Sequence, residues 1–290
     1  MKIKTSPICF GCEPLGGTDW GDVKIDDIRD AIHKSLDLGV NFFDTAAIYG
    51  LGLSEERLSK ILGQQRHDVI IATKGGLTWK NNEASGRAIV VRDSSPKAIR
   101  KDVEGSLRRL RLEVLPIFFV HWPDNNTLIE DTFCELMRLK DEGKINSIGC
   151  SNFSAQQVQQ ACNVSQVDYI QMPVNILGGP LDQNISDVCI EREIKVIAYN
   201  VLANGLLTGK YNEDSNFLEN DRRSRLPLFK GREYRHALDR VNELKVEAAK
   251  NNSSVLQYAI NWSLMQKNVS SVILGIKNSK QIEDNWSAII

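Results

Sequence analysis

ICFGCEPLGG, residues 8–17, is the stretch on which the choice of fold turns. Ile8 to Gly11 make a short, continuously apolar strand, the pattern of a strand buried on both faces. A doubly wound dinucleotide-binding sheet would place GxGxxG after its first strand. Gly11-Cys12-Glu13-Pro14-Leu15-Gly16-Gly17 does not match that fingerprint. Working outward, similar apolar runs recur at Asn41 to Asp44, Val69 to Thr73, Leu115 to His121 and Ile145 to Gly149. They continue at Tyr169 to Met172, Ile194 to Tyr199 and Ser271 to Leu274. Stretches of helical period lie between them. Ile28, Ile32 and Leu36 fall one turn apart, as do Ile99, Val103, Leu107 and Leu110 after a Ser94-Ser95-Pro96 start that supplies a cap and a first-turn proline. This unbroken alternation predicts a closed α/β architecture, a (β/α)8 TIM barrel forming one domain over residues 1–290. Two connections are long, from Gly75 to Ser95 and from Asn200 to about Arg232. Both follow strand ends, on the face where barrel enzymes carry their sites.

The composition fits that architecture. Of 290 residues, 42% are hydrophobic and 25% charged, enough apolar material for a sizeable core. A net charge of −1 gives no footprint for nucleic acid or an anionic membrane surface. No signal peptide and no run of about 18 apolar residues is found, so a cytoplasmic location without a membrane span is expected. The six cysteines are read as reduced thiols. Cys9 and Cys12 form a CxxC, but no second pair completes a metal site, so packing is the expected role and no metal is expected.

Polar residues at the C-terminal tips of barrel strands are candidates for chemistry. Asp44 ends NFFD, Tyr49 follows in a tight turn, Lys74 ends VIIATK and His121 ends LPIFFVH. Together they suit hydride transfer to a carbonyl, which needs a proton for the developing alkoxide. Tyr49 is the acid, Lys74 lowers its pKa, Asp44 holds Lys74, and His121 orients the carbonyl oxygen or assists the proton.

At these residues the chain resembles the aldo/keto reductase superfamily, from about Gly11 to Asn285. The segments carrying the likeness are GVNFFDTAAIYGLGLSEERLSKILG (39–63), IATKGGLTW (71–79), SLRRLRLEVLPIFFVHWPD (106–124) and EGKINSIGCSNFS (142–154). QMPVN (171–175), AYNVLANGLLTGKY (198–211) and ILGIKNSKQIEDN (273–285) complete the series. RDSSP before the third helix and HWPD after the fourth strand look most like a microbial branch. The resemblance implies a barrel that binds NADP(H) and acts on a small aldehyde, ketone or sugar carbonyl, with Asp44, Tyr49, Lys74 and His121 as catalytic tetrad. It implies nicotinamide contacts from Ser151, Asn152 and Gln171 and stacking on Tyr199. By the same resemblance Leu202, Gly205, Leu207 and Lys210 would line the pyrophosphate, with one of Arg223, Arg225 and Arg222 adding charge. Gly275, Lys277, Gln281, Asp284 and Asn285 face the adenosine end, and Lys277 at a helix start favours a 2′-phosphate and hence NADP over NAD.

Four positions depart from the family's pattern. Asn200-Val201 replaces Ser-Pro, Val174 stands where tyrosine is usual, and Glu13 takes a place near the cofactor that is commonly aromatic. Relatives also continue beyond the equivalent of Asn285. That implies a pocket more open here, or one completed by a neighbouring subunit in a homo-oligomer. Members of this superfamily also serve as auxiliary subunits of ion channels, so a nicotinamide-sensing regulatory subunit with little turnover is the alternative reading.

Overall fold

The computed structural model describes residues 4–80 and 88–289. Eight parallel strands close into a barrel: β1 (Ile8–Gly11), β2 (Phe42–Asp44), β3 (Ile70–Gly75), β6 (Leu115–Val120), β7 (Ile145–Ser151), β8 (Tyr169–Pro173), β9 (Lys195–Tyr199) and β10 (Val269–Gly275). β1 closes the ring by pairing with both β10 and β2. All eight expected strands are present, with ends shifted by a residue or two. The remaining strands, β4 (Leu77–Lys80) and β5 (Ile89–Arg92), form an antiparallel hairpin inside the first long connection, whose residues 81–87 lie outside the described residues.

The helices are α1 (Ile25–Asp37), α2 (Leu53–Leu62), α3 (Pro96–Leu110), α4 (Ile129–Asp141), α5 (Ala155–Val164), α6 (Gln183–Glu191), α7 (Gly231–Lys250), α8 (Val255–Leu264) and α9 (Ser279–Trp286). Their starts follow local chemistry. Ser95 caps α3 ahead of Pro96, and reciprocal Ser–Gln capping boxes open α5 (Ser154, Gln157) and α8 (Ser254, Gln257). Ile28 and Ile32 of α1, and Ile99 and Val103 of α3, are fully buried against the strands, as their spacing requires.

Alternation along the strands divides the core. Cys9, Phe42, Ala72, Ile117, Phe119, Tyr169 and Ile197 point into the barrel and fill it, while Phe10, Phe43, Ile71, Phe118 and Ile170 pack outward against helices. A Cβ on Gly149 would lie 2.4 Å from the Phe119 ring, so the inner space of β7 belongs to that ring. Cys9 and Cys12 are fully buried free thiols, pushed up in pKa mainly by burial. No cluster of potential metal ligands occurs among the described residues. None of the described helices is long and apolar enough to cross a membrane.

The second long connection builds a small core of its own. Leu206 and Leu207 pack with Phe229 and with Tyr234, Leu238 and Leu244 of α7. Tyr211, Phe217 and Phe229 meet at ring distances of 5.0–6.3 Å, so this segment is an anchored part of the barrel mouth.

Candidate active site

Asp44 is the last residue of β2 and Lys74 the last but one of β3, adjacent strands of the ring. Both side chains are buried, and Lys74 Nζ donates to Asp44 Oδ1 at 2.5 Å. The same ammonium donates to the Thr45 carbonyl at 2.9 Å and to the Tyr49 hydroxyl at 3.4 Å. An ammonium carries three N–H bonds, so all three are committed, and the phenol oxygen is an acceptor toward Lys74. Asp44 Oδ2 accepts in turn from Gln171 Nε2 at 2.5 Å, across the barrel from β8.

Tyr49 opens a short turn, Tyr49–Gly52, in which Gly50, Leu51 and Gly52 all have positive φ. Gly50 sits backbone to backbone on Gly16: a Cβ there would lie 2.2 Å from the Gly16 carbonyl oxygen. This contact pins the turn, and with it the phenol, to the loop after β1. Gly50→Ala is therefore expected to cost about 2–4 kcal/mol, from left-handed backbone strain and overpacking. Urea unfolding of the variant checks it; a loss below 0.5 kcal/mol rejects the pinning role.

His121 follows β6 and meets the Tyr49 ring edge-on at 5.9 Å. Burial, then the charge of Lys74, holds its pKa well below the usual imidazole range, so it is neutral at neutral pH. Its Nδ1 is buried without a hydrogen-bond partner among the described residues. The four sequence-predicted residues thus meet at one end of the barrel. The phenol of Tyr49 is held well above its ordinary value, by burial first and then by the negative charges of Glu13 and Asp44, with Arg222 opposing. The Lys74 ammonium lies at hydrogen-bond distance from that hydroxyl while paired to Asp44.

Beside the tetrad runs a polar strip. Asn152, at φ +65°, donates to the His121 carbonyl (3.1 Å) and to Ser151 Oγ (3.0 Å), and its Oδ1 accepts from the Tyr199 hydroxyl (2.6 Å). Ser151 Oγ donates to the Gln171 carbonyl. Ser151, Asn152, Gln171 and Tyr199 are thereby one connected set on neighbouring strands, next to His121. Gln171 gives one amide N–H to Asp44, and its Oε1 has no partner among the described residues.

Farther around the mouth, Lys210, Arg223 and Lys277 converge. Burial and the charge of Arg223 lower the pKa of both lysines, and Lys210 further lowers Lys277. Asp221 pairs with Arg223 and offsets part of this charge. Gly205, at φ +93°, lies beside Arg223 and Tyr211, and nothing stands within 4 Å of where a Cβ on Gly275 would be. Two lysines lowered by burial and by a neighbouring guanidinium, next to open backbone, make a site that an anion stabilises. That donor set fits the phosphates of a dinucleotide. Arg225 is turned to Asp19 and the Glu219 carbonyl. Arg222, the third arginine of that loop, pairs with Glu13 at 3.0 Å. Leu207 is fully buried in the small core and Leu202 partly so, which leaves them only backbone to offer. Gln281 Oε1 accepts from the Lys277 backbone, Asp284 pairs with Lys280, and Asn285 is buried.

A buried network that no motif signalled supports this end. Glu55 of α2, with no exposed surface, accepts from Thr73 Oγ1 and from Arg109 of α3, each at 2.6 Å. It ties the strand residue beside Lys74 to two outer helices.

Comparison with known proteins supplies the relatives. Residues 7–290 match the Aldo/keto reductase family. The aldo-keto reductase YhdN of Bacillus subtilis is 34% identical over 284 residues, covering 97% of this chain and 84% of that protein. The NADH-specific methylglyoxal reductase of Escherichia coli is 28% identical over 284 residues, covering 94% and 86%. The solved glycerol dehydrogenase of Gluconobacter oxydans matches with a TM-score of 0.91 at 35% identity, over 100% of this chain and 88% of that one.

Proposed function

This chain belongs to the aldo/keto reductase family, whose members are oxidoreductases using nicotinamide cofactors, and from that premise we propose that it reduces a small aldehyde, ketone or sugar carbonyl with NADPH. The observation that carries the reading is the convergence of Tyr49, Lys74, Asp44 and neutral His121 at one buried corner of the mouth. When bound, the nicotinamide supplies the hydride. Because the phenol oxygen accepts from Lys74, its own proton is free to point away, toward a carbonyl oxygen. The raised pKa keeps that proton in place at neutral pH. An unpartnered buried lone pair is cheaper than an unpartnered N–H, so His121 carries its hydrogen on Nε2 and can donate it to the same oxygen. Ser151, Asn152 and the free Oε1 of Gln171 would hold the carboxamide, and Tyr199 would stack on the ring. Lys210 and Arg223 would hold the pyrophosphate, and Lys277 the 2′-phosphate.

Absorbance assays of a panel of generic aldehydes with NADPH and NADH in parallel test this. Turnover with a preference for NADPH is expected. Lys277→Met is expected to raise the KM for NADPH roughly 10-fold or more, the size of one charge-assisted phosphate contact, and to move that for NADH less. Equal use of NADH, the cofactor named for the E. coli relative, would remove the NADP assignment. Tight NADPH binding with no turnover of any aldehyde would replace the enzyme reading by the sensing one.

A further inference from the structure

Glu13 is an acidic side chain at the mouth that the proton chemistry does not use. It begins the turn Glu13–Gly16 after β1, the turn that packs through Gly16 on the Tyr49 turn. One carboxylate oxygen, Oε1, accepts from Arg222 Nη1 at 3.0 Å. Arg222 arrives from the loop after β9, which the first loop grips: Trp20 bridges to Asp221, and Arg222 N donates to the Asp19 carbonyl at 2.8 Å. The guanidinium also lies over the Trp20 ring, 5.6 Å from its centre. Two loops from opposite ends of the chain therefore hold this carboxylate beside the phenol. The indole N–H of Trp20 is close enough to favour the carboxylate, yet it completes no hydrogen bond among the described residues. No described residue donates to Oε2 of Glu13, and the side chain keeps 30% of its surface open.

We propose that Glu13, clamped by Arg222, selects carbonyl substrates that carry a hydroxyl near the reacting carbon, by accepting that hydroxyl's hydrogen bond on its free oxygen. This rests on the reductase reading and deepens it. The physical reason is the asymmetry of polar recognition. A carboxylate taken partly out of water regains a strong hydrogen bond from a hydroxylated ligand. Against a bare alkyl chain it stays desolvated and under-bonded. An aromatic residue in the same place would present an apolar wall and reverse the preference. The fixed pair favours polyhydroxylated carbonyls, of the chemical class of short sugars, over alkyl or aryl aldehydes of the same size.

Glyceraldehyde and propanal share a three-carbon skeleton and differ in two hydroxyls, so the ratio of their kcat/KM values reads the effect directly. The wild type is expected to favour glyceraldehyde, and Glu13→Leu to lower the ratio by about 10- to 100-fold, the worth of one hydrogen bond to a charged acceptor. Most of the change should fall on the KM for glyceraldehyde. Glu13→Gln keeps a carbonyl acceptor in the same volume and should lose less. It decides the matter alone if the leucine variant does not fold. A ratio unmoved by either substitution overturns the proposal while leaving the reductase intact. A wild type that reduces neither aldehyde, nor any of the panel above, overturns both.

Discussion

Tyr49→Phe is expected to lower turnover of any reducible aldehyde by about 10²- to 10⁴-fold, the usual contribution of a positioned general acid, while the Kd for NADPH changes less than threefold. The substitution removes one oxygen and keeps the ring that meets His121 edge-on at 5.9 Å, so the turn and the packing survive. What disappears is the proton donor and one acceptor for Lys74, which keeps its bonds to Asp44 and to the Thr45 carbonyl. Lys210, Arg223 and Lys277, proposed above to hold the phosphates, lie on other loops and are untouched. Stopped-flow or steady-state absorbance gives the rate, and quenching of protein fluorescence gives the Kd. Turnover within tenfold of wild type would reject Tyr49 as the acid. Because the phenol's pKa is raised, the proton stays bound throughout neutral pH, and the reduction rate should be flat there.

Asp44→Ala is expected to cost about 3–5 kcal/mol of stability, because it leaves the Lys74 ammonium buried without a counter-charge. It also strands Gln171 Nε2, whose bond at 2.5 Å spans the barrel. A double substitution, Asp44→Leu with Lys74→Met, replaces the pair by apolar groups of comparable size. It should recover most of the lost stability, since such exchanges are often neutral. It should recover no activity, because the phenol oxygen then has no ammonium to accept from. Urea melts and turnover measured on both proteins separate the two outcomes. If the double variant is as unstable as the single one, the pair is required for folding. If Asp44→Ala costs under 1 kcal/mol, the ammonium has found another partner or lost its proton.

The grouping of Asp44, Tyr49, Lys74 and His121 at one end of the barrel was legible in the sequence because strand ends are marked locally. Asp44, Lys74 and His121 each close an apolar run, and Tyr49 opens a glycine-rich turn just beyond one. A closed parallel barrel brings all such ends to one face, so order along the chain was enough to collect them. The hairpin β4–β5 was not legible: Leu77–Lys80 and Ile89–Arg92 are short, and Ile89, Val90 and Val91 are exposed, so no burial pattern marked them. The Glu55–Thr73–Arg109 network was equally silent, since Glu55 and Arg109 each look alone like surface residues of a helix.

Local pattern, then, was sufficient for the architecture: the spacing of apolar residues, the caps and the missing glycine fingerprint act within a dozen residues, and the ring closes from their sum. Partner choice was decided in three dimensions. Gln171 reaches Asp44 across 127 residues of chain, and Arg222 reaches Glu13 across 209. The pKa of Tyr49 follows from such pairings, because the sign of its shift depends on which charges are already neutralised and how much water is excluded. Hydrogen bonds and desolvation act over a few ångströms of space and are indifferent to distance along the chain, so only the folded barrel could assign them.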